Sequence, residues 1–456
     1  MFSLHENCIK DLDIRTHLHS IPLAIADDMV NLLKSTDFFN EPALDMTAEE
    51  YINSHRVIDI SCKSGSLLFS FYRQFMVALV NVFPDRDDRE LFIMRYLLYG
   101  LCPDKRYLDL VRNTFYSNQK YDLTNEFGNF YHYNFEDQRG VDKEEVKELL
   151  ENMKFDVVCG NPPYNKDAYI DFVILGHRLA KTYDLWITPA KFIAKNDKSG
   201  KNNNFRSSVL SNIKDLVLYI HTHEVFSILS DGGIAYYLCD KNSHTGINVK
   251  NICNEVPDLI NSSSQLTINK DIKKYSLINI SDSIVDKLYS SGFQQYHPKK
   301  VDELSYNFYL TSQFGGSGAP TNRFFATDGK ALVLSDYEIL KMGIRPKSNT
   351  TMRLFSSDNL NECNNYLSWI YSKFVRFLLV CGMCVRSSVS DECWRFVPNP
   401  GSFDRIFEDK PLDGYTPDEN GEYIDADGNK HCSLYAKYKL SDEEINVIES
   451  VIRERK

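Results

Sequence analysis

Apolar residues in this chain fall into short unbroken runs separated by stretches with a helical repeat. The runs Val57-Ile58-Asp59-Ile60, Tyr96-Leu97-Leu98-Tyr99-Gly100, Phe155-Asp156-Val157-Val158-Cys159-Gly160, Leu185-Trp186-Ile187-Thr188, Leu216-Val217-Leu218-Tyr219-Ile220 and Gly233-Ile234-Ala235-Tyr236-Tyr237-Leu238-Cys239 read as buried strands. Helical spacing predicts helices over 22–36, 67–83, 105–116 and 168–181, and another starting near Asn204. Strands separated by helices imply an α/β fold, a mostly parallel sheet covered on both faces. No long helix separates the last two strands, so that pair is expected to be antiparallel. In an open sheet of this kind, ligands bind outside the carboxyl ends of the strands. Beyond Thr245 the pattern loosens into Asn/Ser-rich sequence. The predicted organisation is therefore a catalytic domain over 1–245, a second region over 246–398 and an acidic tail with a terminal helix over 399–456.

Composition narrows the class. A chain of 456 residues with 43% apolar side chains buries one large core or several ordinary ones. No apolar run reaches the length of a membrane span. The segment Met1-Phe2-Ser3-Leu4-His5-Glu6-Asn7 lacks the layout of a signal peptide, so a cytoplasmic protein with no membrane partner is expected. Eleven cysteines, several inside strand-like runs (Cys62, Cys102, Cys159, Cys239), suit reduced and buried thiols. A net charge of -11 argues against holding nucleic acid by bulk charge, while leaving a local cleft open to it. Basic and aromatic residues interleave in the second region (Arg323, Phe324, Phe325, Arg345, Lys347, Arg353, Lys373, Arg376, Arg386, Trp394, Arg395). That mixture suits a nucleic-acid face and equally an ordinary mixed surface.

Asn161-Pro162-Pro163-Tyr164, straight after the run 155–160, carries the chemistry. An exocyclic amine such as that of adenine has its lone pair delocalised into the ring and is a poor nucleophile. Two acceptors aimed at its N–H groups, the Asn161 side-chain oxygen and the Pro162 carbonyl, favour a more pyramidal nitrogen able to attack a methyl group. The prolines fix the backbone, and residues preceding proline are biased to extended conformations that point carbonyls outward. Tyr164 offers an aromatic face to a base removed from its duplex. A hundred residues earlier, Asp59-Ile-Ser61-Cys-Lys63-Ser-Gly65-Ser opens a helix directly after a strand, a place where glycine lets the backbone approach a ligand.

This combination resembles the gamma-class adenine-N6 DNA methyltransferases, in which a cofactor loop precedes NPPY and a target-recognition region follows. The family's loop reads Asp-Pro-x-x-Gly-x-Gly. Here Asp59 matches, Lys63 takes the place of the first glycine and Gly65 that of the second, a departure that bears on cofactor affinity. The resemblance implies a Rossmann-like methyltransferase sheet with an antiparallel last strand. It also implies S-adenosyl-L-methionine as cofactor, held by Asp59, Ser61, Gly65, Asp104, Asn134 and Asn161. Phe205 matches a second aromatic that stacks with Tyr164 on the flipped base. The implied substrate is the N6 amine of adenine in double-stranded DNA. The implied partner, in a restriction-modification setting, is a separate cognate restriction endonuclease. Two other readings share the motif: methylation of a glutamine side-chain amide, and a DNA-binding or specificity subunit whose cofactor loop Lys63 has spoiled.

No metal is expected. Cys381-Gly-Met-Cys384 lacks a second cysteine pair, His17/His19 and His221/His223 lack a third ligand, and 314–320 lacks the Gly-Lys-Ser/Thr of a phosphate loop. Asp418-x-Asn420-Gly421 and Asp425-x-Asp427-Gly428 miss the calcium-loop spacing and read as hairpin turns.

Overall fold

In a computed structural model, the structure describes residues 9–10, 12–13, 19–43, 45–116, 129–135, 137–164, 167–193, 204–205, 208–219, 222–226, 233–242, 246–252, 262–266, 281–290, 292, 294–297, 308–312, 325–326, 330–331, 337–341, 352–382 and 391–452. Its first part runs α1 (Leu23–Asn31), α2 (Ala48–His55), β1 (Val57–Asp59), α3 (Ser66–Ala78), α4 (Arg86–Tyr96), β2 (Leu98–Cys102), α5 (Lys105–Tyr116) and β3 (Phe130–His132). It continues with α6 (Lys143–Asn152), β4 (Phe155–Gly160), α7 (Ala168–Leu179), β5 (Ala180–Pro189), β6 (Ile213–Tyr219), β7 (Ile234–Asp240), β8 (Ile247–Ile252) and β9 (Ser262–Leu266).

These strands form one sheet in the order β3-β2-β1-β4-β5-β7-β6-β8-β9. Neighbours from β3 to β5 are parallel. β7 is antiparallel to both β5 and β6, as the missing helix between β6 and β7 predicts. Every residue of β1, β2, β4 and β7 is buried, which explains why these strands read as continuous apolar runs: both faces are covered. The pleat divides them between two cores. Val57, Val157 and Cys159 pack with α1, α3, α4 and α5 on one face, and Ile58 and Val158 pack with α6 and α7 on the other. Each large apolar side chain so buried contributes about 1.5–3 kcal/mol. Gly176 lets α7 sit close to the sheet, because a Cβ there would lie 2.3 Å from Trp186 Cζ2.

Several boundaries differ from the sequence reading. The helix predicted to Phe83 stops at Ala78, and a second one, α4, capped by Asp85, runs through Tyr96. β2 accordingly starts at Leu98 rather than Tyr96, and α7 gives way to β5 at Ala180. The sheet also continues past residue 245, since β8 pairs with β6 and β9 with β8. In β8 buried residues alternate with exposed Asn248 and Lys250, unlike the central strands.

The remaining elements are α8 (Ser281–Ser290), β10 (Phe308–Ser312), β11 (Phe325–Ala326), β12 (Lys330–Ala331), β13 (Tyr337–Lys341), β14 (Met352–Ser357), α9 (Leu360–Tyr371), α10 (Lys373–Gly382), β15 (Ile406–Glu408), β16 (Glu422–Ile424), β17 (Lys430–Ser433) and α11 (Asp442–Val451). One apolar core joins Ile284 and Leu288 of α8, Trp369, Phe377 and Trp394 to Cys432 and Ile448, so it crosses residues 398 and 399. Lys373, Arg376 and Trp394, expected in a basic-aromatic face, are buried in or beside this core, and Lys373 pairs with Glu449. Arg323, Phe324, Arg345, Lys347 and Arg386 lie outside the described residues. The Asp425–Gly428 turn joins antiparallel β16 and β17 as a hairpin. The Asp418–Gly421 turn instead leads into β16, because β15 pairs with β17 in parallel.

Candidate active site

The chain leaves β1 towards β2 and β3, then returns to place β4 on the opposite side of β1. That reversal opens a crevice at the carboxyl ends of β1 and β4, the position where open α/β sheets bind ligands. The two strand ends are in register, Asp59 beside Cys159, and the Ile60 N–H donates to the Cys159 carbonyl at 3.1 Å.

A relay of short bonds shapes the crevice. The Ser61 N–H donates to Asp59 Oδ1 at 2.9 Å, and Ser61 Oγ accepts the Asn161 N–H at 2.7 Å. Gly160 makes room for this, because a Cβ there would fall 2.5 Å from Ser61 Oγ. Gly65 caps α3 in the left-handed region at φ 77°, with no side-chain cap and no acidic residue in the first turn. The first N–H groups of α3 therefore face the cleft with the partial positive charge of a helix start.

The second wall comes from the segment before α1. The His19 carbonyl accepts from Asn161 Nδ2 at 2.8 Å and from Lys63 Nζ at 3.1 Å, and Lys63 Nζ also donates to the Asn161 carbonyl at 3.2 Å. Asp13 holds the same segment through the Ser20 N–H and Oγ at 2.7 and 2.8 Å, and accepts the Tyr107 hydroxyl at 2.6 Å. A carbonyl can only accept, so Asn161 must turn its NH2 towards His19. Its Oδ1 then faces away, buried and accepting no hydrogen bond from any described residue.

The electrostatics are unusual for so small a space. Burial pushes Asp59 up to about 7, against the Ser61 N–H and Lys63, which pull it down. Burial draws Lys63 down to about 8, opposed by Asp13 and Asp59.

Asp59, Ser61, Gly65 and Asn161 line one cleft together with Ile21, Lys63, Ser64, Ser66 and Leu67. Pro162 is buried beside it, and Pro163 and Tyr164 are half-buried. The Tyr164 hydroxyl lies 3.5 Å from the Ile187 carbonyl, and its ring packs edge-on to Phe226 at 6.3 Å. Phe205 is fully buried, with Phe192 at 5.0 Å and Tyr237 at 6.5 Å as its ring neighbours among the described residues. Asp104 pairs with Arg106 at 2.6 Å, and Asn134 bridges to Arg139 through the backbone; neither lines the cleft. Sequence reasoning set His19 aside as one of a histidine pair lacking a third ligand, and passed over Ile21. Nothing local marks them, since His19 meets Asn161 across 142 residues.

Among the described residues, no helix is long and apolar enough to cross a membrane. No protein-family model and no curated protein matches the chain. Among solved structures, it overlaps the type I restriction-modification methyltransferase subunit from Streptococcus thermophilus at 13% identity and a TM-score of 0.35, covering 62% of this chain and 54% of that one. The M protein of the type I restriction enzyme EcoKI overlaps at 15% identity and a TM-score of 0.33, covering 49% and 50%. The DNA-bound type ISP restriction-modification enzyme LlaBIII overlaps at 12% and 0.36, covering 56% and 20%. The chain thus spans about half the length of the first two. Overlaps of this size carry no information on chemistry.

Proposed function

We propose that this chain is an S-adenosylmethionine-dependent methyltransferase acting on the N6 amine of adenine in duplex DNA, as the modification part of a restriction-modification system. The observation that carries the reading is the Asn161 amide. Its Nδ2 is held by the His19 carbonyl, and its Oδ1 is a buried acceptor with no donor among the described residues. Leaving such an oxygen unsatisfied costs about 1–3 kcal/mol, a cost removed when a ligand N–H arrives. With the amide already oriented, little reorganisation remains at the moment of reaction, which makes fixed dipoles effective. The Pro162 carbonyl is the second acceptor for the same amine. Tyr164, half-buried at the tip, offers its ring to the extruded base. Phe205, matched to the second stacking aromatic, is buried against Phe192 and Tyr237.

The residues present fit the cofactor. A zwitterionic amino acid bearing a sulfonium finds the buried Asp59 carboxyl, helix N–H groups at Ser66 and Leu67, and the close backbone approach that Gly65 permits. When bound, S-adenosylmethionine supplies an electrophilic methyl group. Asp59, Ser61, Gly65 and Asn161 would hold it, with Asp104 and Asn134 at the far end. Each of those two lies two residues beyond its strand, at the carboxyl edge that β1 shares with β2 and β3.

The test is Asn161→Ala assayed with tritiated cofactor on duplex DNA. The variant is expected to lose methyl transfer by about 10²–10³, the usual effect of removing one aligned dipole, and to lose far less in sinefungin affinity. Full activity in the variant, or label entering protein and not DNA, sinks the reading.

A further inference from the structure

Lys63 stands where a backbone was expected to be bare, and its surroundings give it a task. Lys63 is half-buried, and an ammonium drawn partly out of water carries a desolvation penalty unless partners offset it. Here the partners are two carbonyls, His19 at 3.1 Å and Asn161 at 3.2 Å, with Asp13 and Asp59 as the facing carboxylates. These carbonyls belong to the two walls of the cleft, one before α1 and the other at the tip of β4. A glycine at position 63 would remove both bonds, the one to the His19 carbonyl and the one to the Asn161 carbonyl.

We infer that Lys63 is a positioning residue, latching segment 19–21 onto the Asn161 backbone and thereby fixing the amide that receives the target amine. The inference rests on the transferase reading for its consequence in catalysis, though the latch itself is a property of the protein alone. The His19 carbonyl both accepts from Lys63 and dictates which way the Asn161 amide faces, so loosening one bond frees the other. Lys63 has three N–H donors, and two are engaged by these carbonyls. The departure from the glycine-rich loop is then compensated: what the loop loses in backbone approach it recovers as a crosslink between walls.

The experiment compares the parent with Lys63→Met, which keeps the volume and removes the charge, and with Lys63→Gly, which restores the resembling family's residue and covers the case that the methionine variant misfolds. Three readouts are needed: hydrogen exchange of the Ser20 and Ile21 amides, the sinefungin Kd, and kcat for methyl transfer to duplex DNA. Losing a charge-assisted bond should speed exchange and lower kcat by about tenfold each, with Kd changed by less than about threefold. Unchanged exchange in both variants overturns the latch. Faster exchange with parental kcat overturns its role in positioning. A Kd that rises as far as kcat falls makes Lys63 a cofactor ligand and also overturns it. If the parent itself transfers no methyl group to DNA, the transferase reading falls while the exchange measurement still judges the latch.

Discussion

Two buried carboxylates in the same sheet, Asp59 at the end of β1 and Asp184 within β5, have opposite surroundings. Asp184 is wholly enclosed, and both its oxygens are matched: His177 Nδ1 sits 2.6 Å from Oδ1, and Trp186 Nε1 donates to Oδ2 at 2.7 Å. The imidazole continues the chain, with its Nε2 at 3.3 Å from Asn212 Nδ2. His177, Asp184 and Cys239 gather their ligand atoms within 4.8 Å, a spacing that suggests metal ligation. The matched oxygens point instead to a closed structural network that ties α7 to the sheet. Among the described residues, Asp59 receives one bond, from the Ser61 N–H, beside a lysine and an amide oxygen to which none of them donates. The difference teaches where to look for chemistry: burial alone does not mark a site, and an incomplete set of partners does.

Asp184→Ala should give the largest effect, because it strands a buried histidine and a tryptophan N–H. A loss of about 3–5 kcal/mol in urea unfolding is expected; a near-parental midpoint would erase the contrast between the two carboxylates. Gly160→Ala comes next. Its Cβ would press on Ser61 Oγ, so about 1–3 kcal/mol of stability should go, along with most methyl transfer as the Asn161 N–H loses its acceptor. Activity equal to the parent's would show that Ser61 does not set the tip. Asp59→Asn gives the smallest loss, since it removes a charge that burial disfavours, and its signature is in pH. The folded carboxyl is raised from 3.8 to about 7, so its stabilising contribution is complete below 3.8 and disappears as pH climbs to about 7. Parent and variant should therefore unfold alike in acid and diverge towards neutrality, the variant holding the flatter curve. Parallel curves across that window would mean that burial does not govern this group.

Much of the scaffold was readable because its signals are local. Central strands buried on both faces announce themselves as apolar runs, and the absent helix before Ile234 gave the antiparallel strand. α2 carried a readable sign as well, the Thr47/Glu50 capping box, whose reciprocal bonds are both present. α4 was hidden by the charged sequence 86–90 and by Leu97, which extends its apolar end into β2 without a break. In the site, Asp59, Ser61, Gly65 and Asn161 were legible from two short motifs, and the structure brings them to one cleft. The second wall was not legible, since no composition or period links His19 to a residue 142 positions away. Motif position assigned Phe205 to the base, whereas packing against Phe192 and Tyr237 encloses it; spacing along a chain does not say which side of a ring stays open.

The wall built from His19 has a consequence for how the protein is made. That carbonyl emerges from the ribosome 142 residues ahead of the amide it orients, an interval of about 7–28 s at ordinary synthesis rates. A nascent chain halted before β4 has no amide there for His19 to turn. The geometry of this cleft is thus a late product of synthesis, set only after residue 161 has been made.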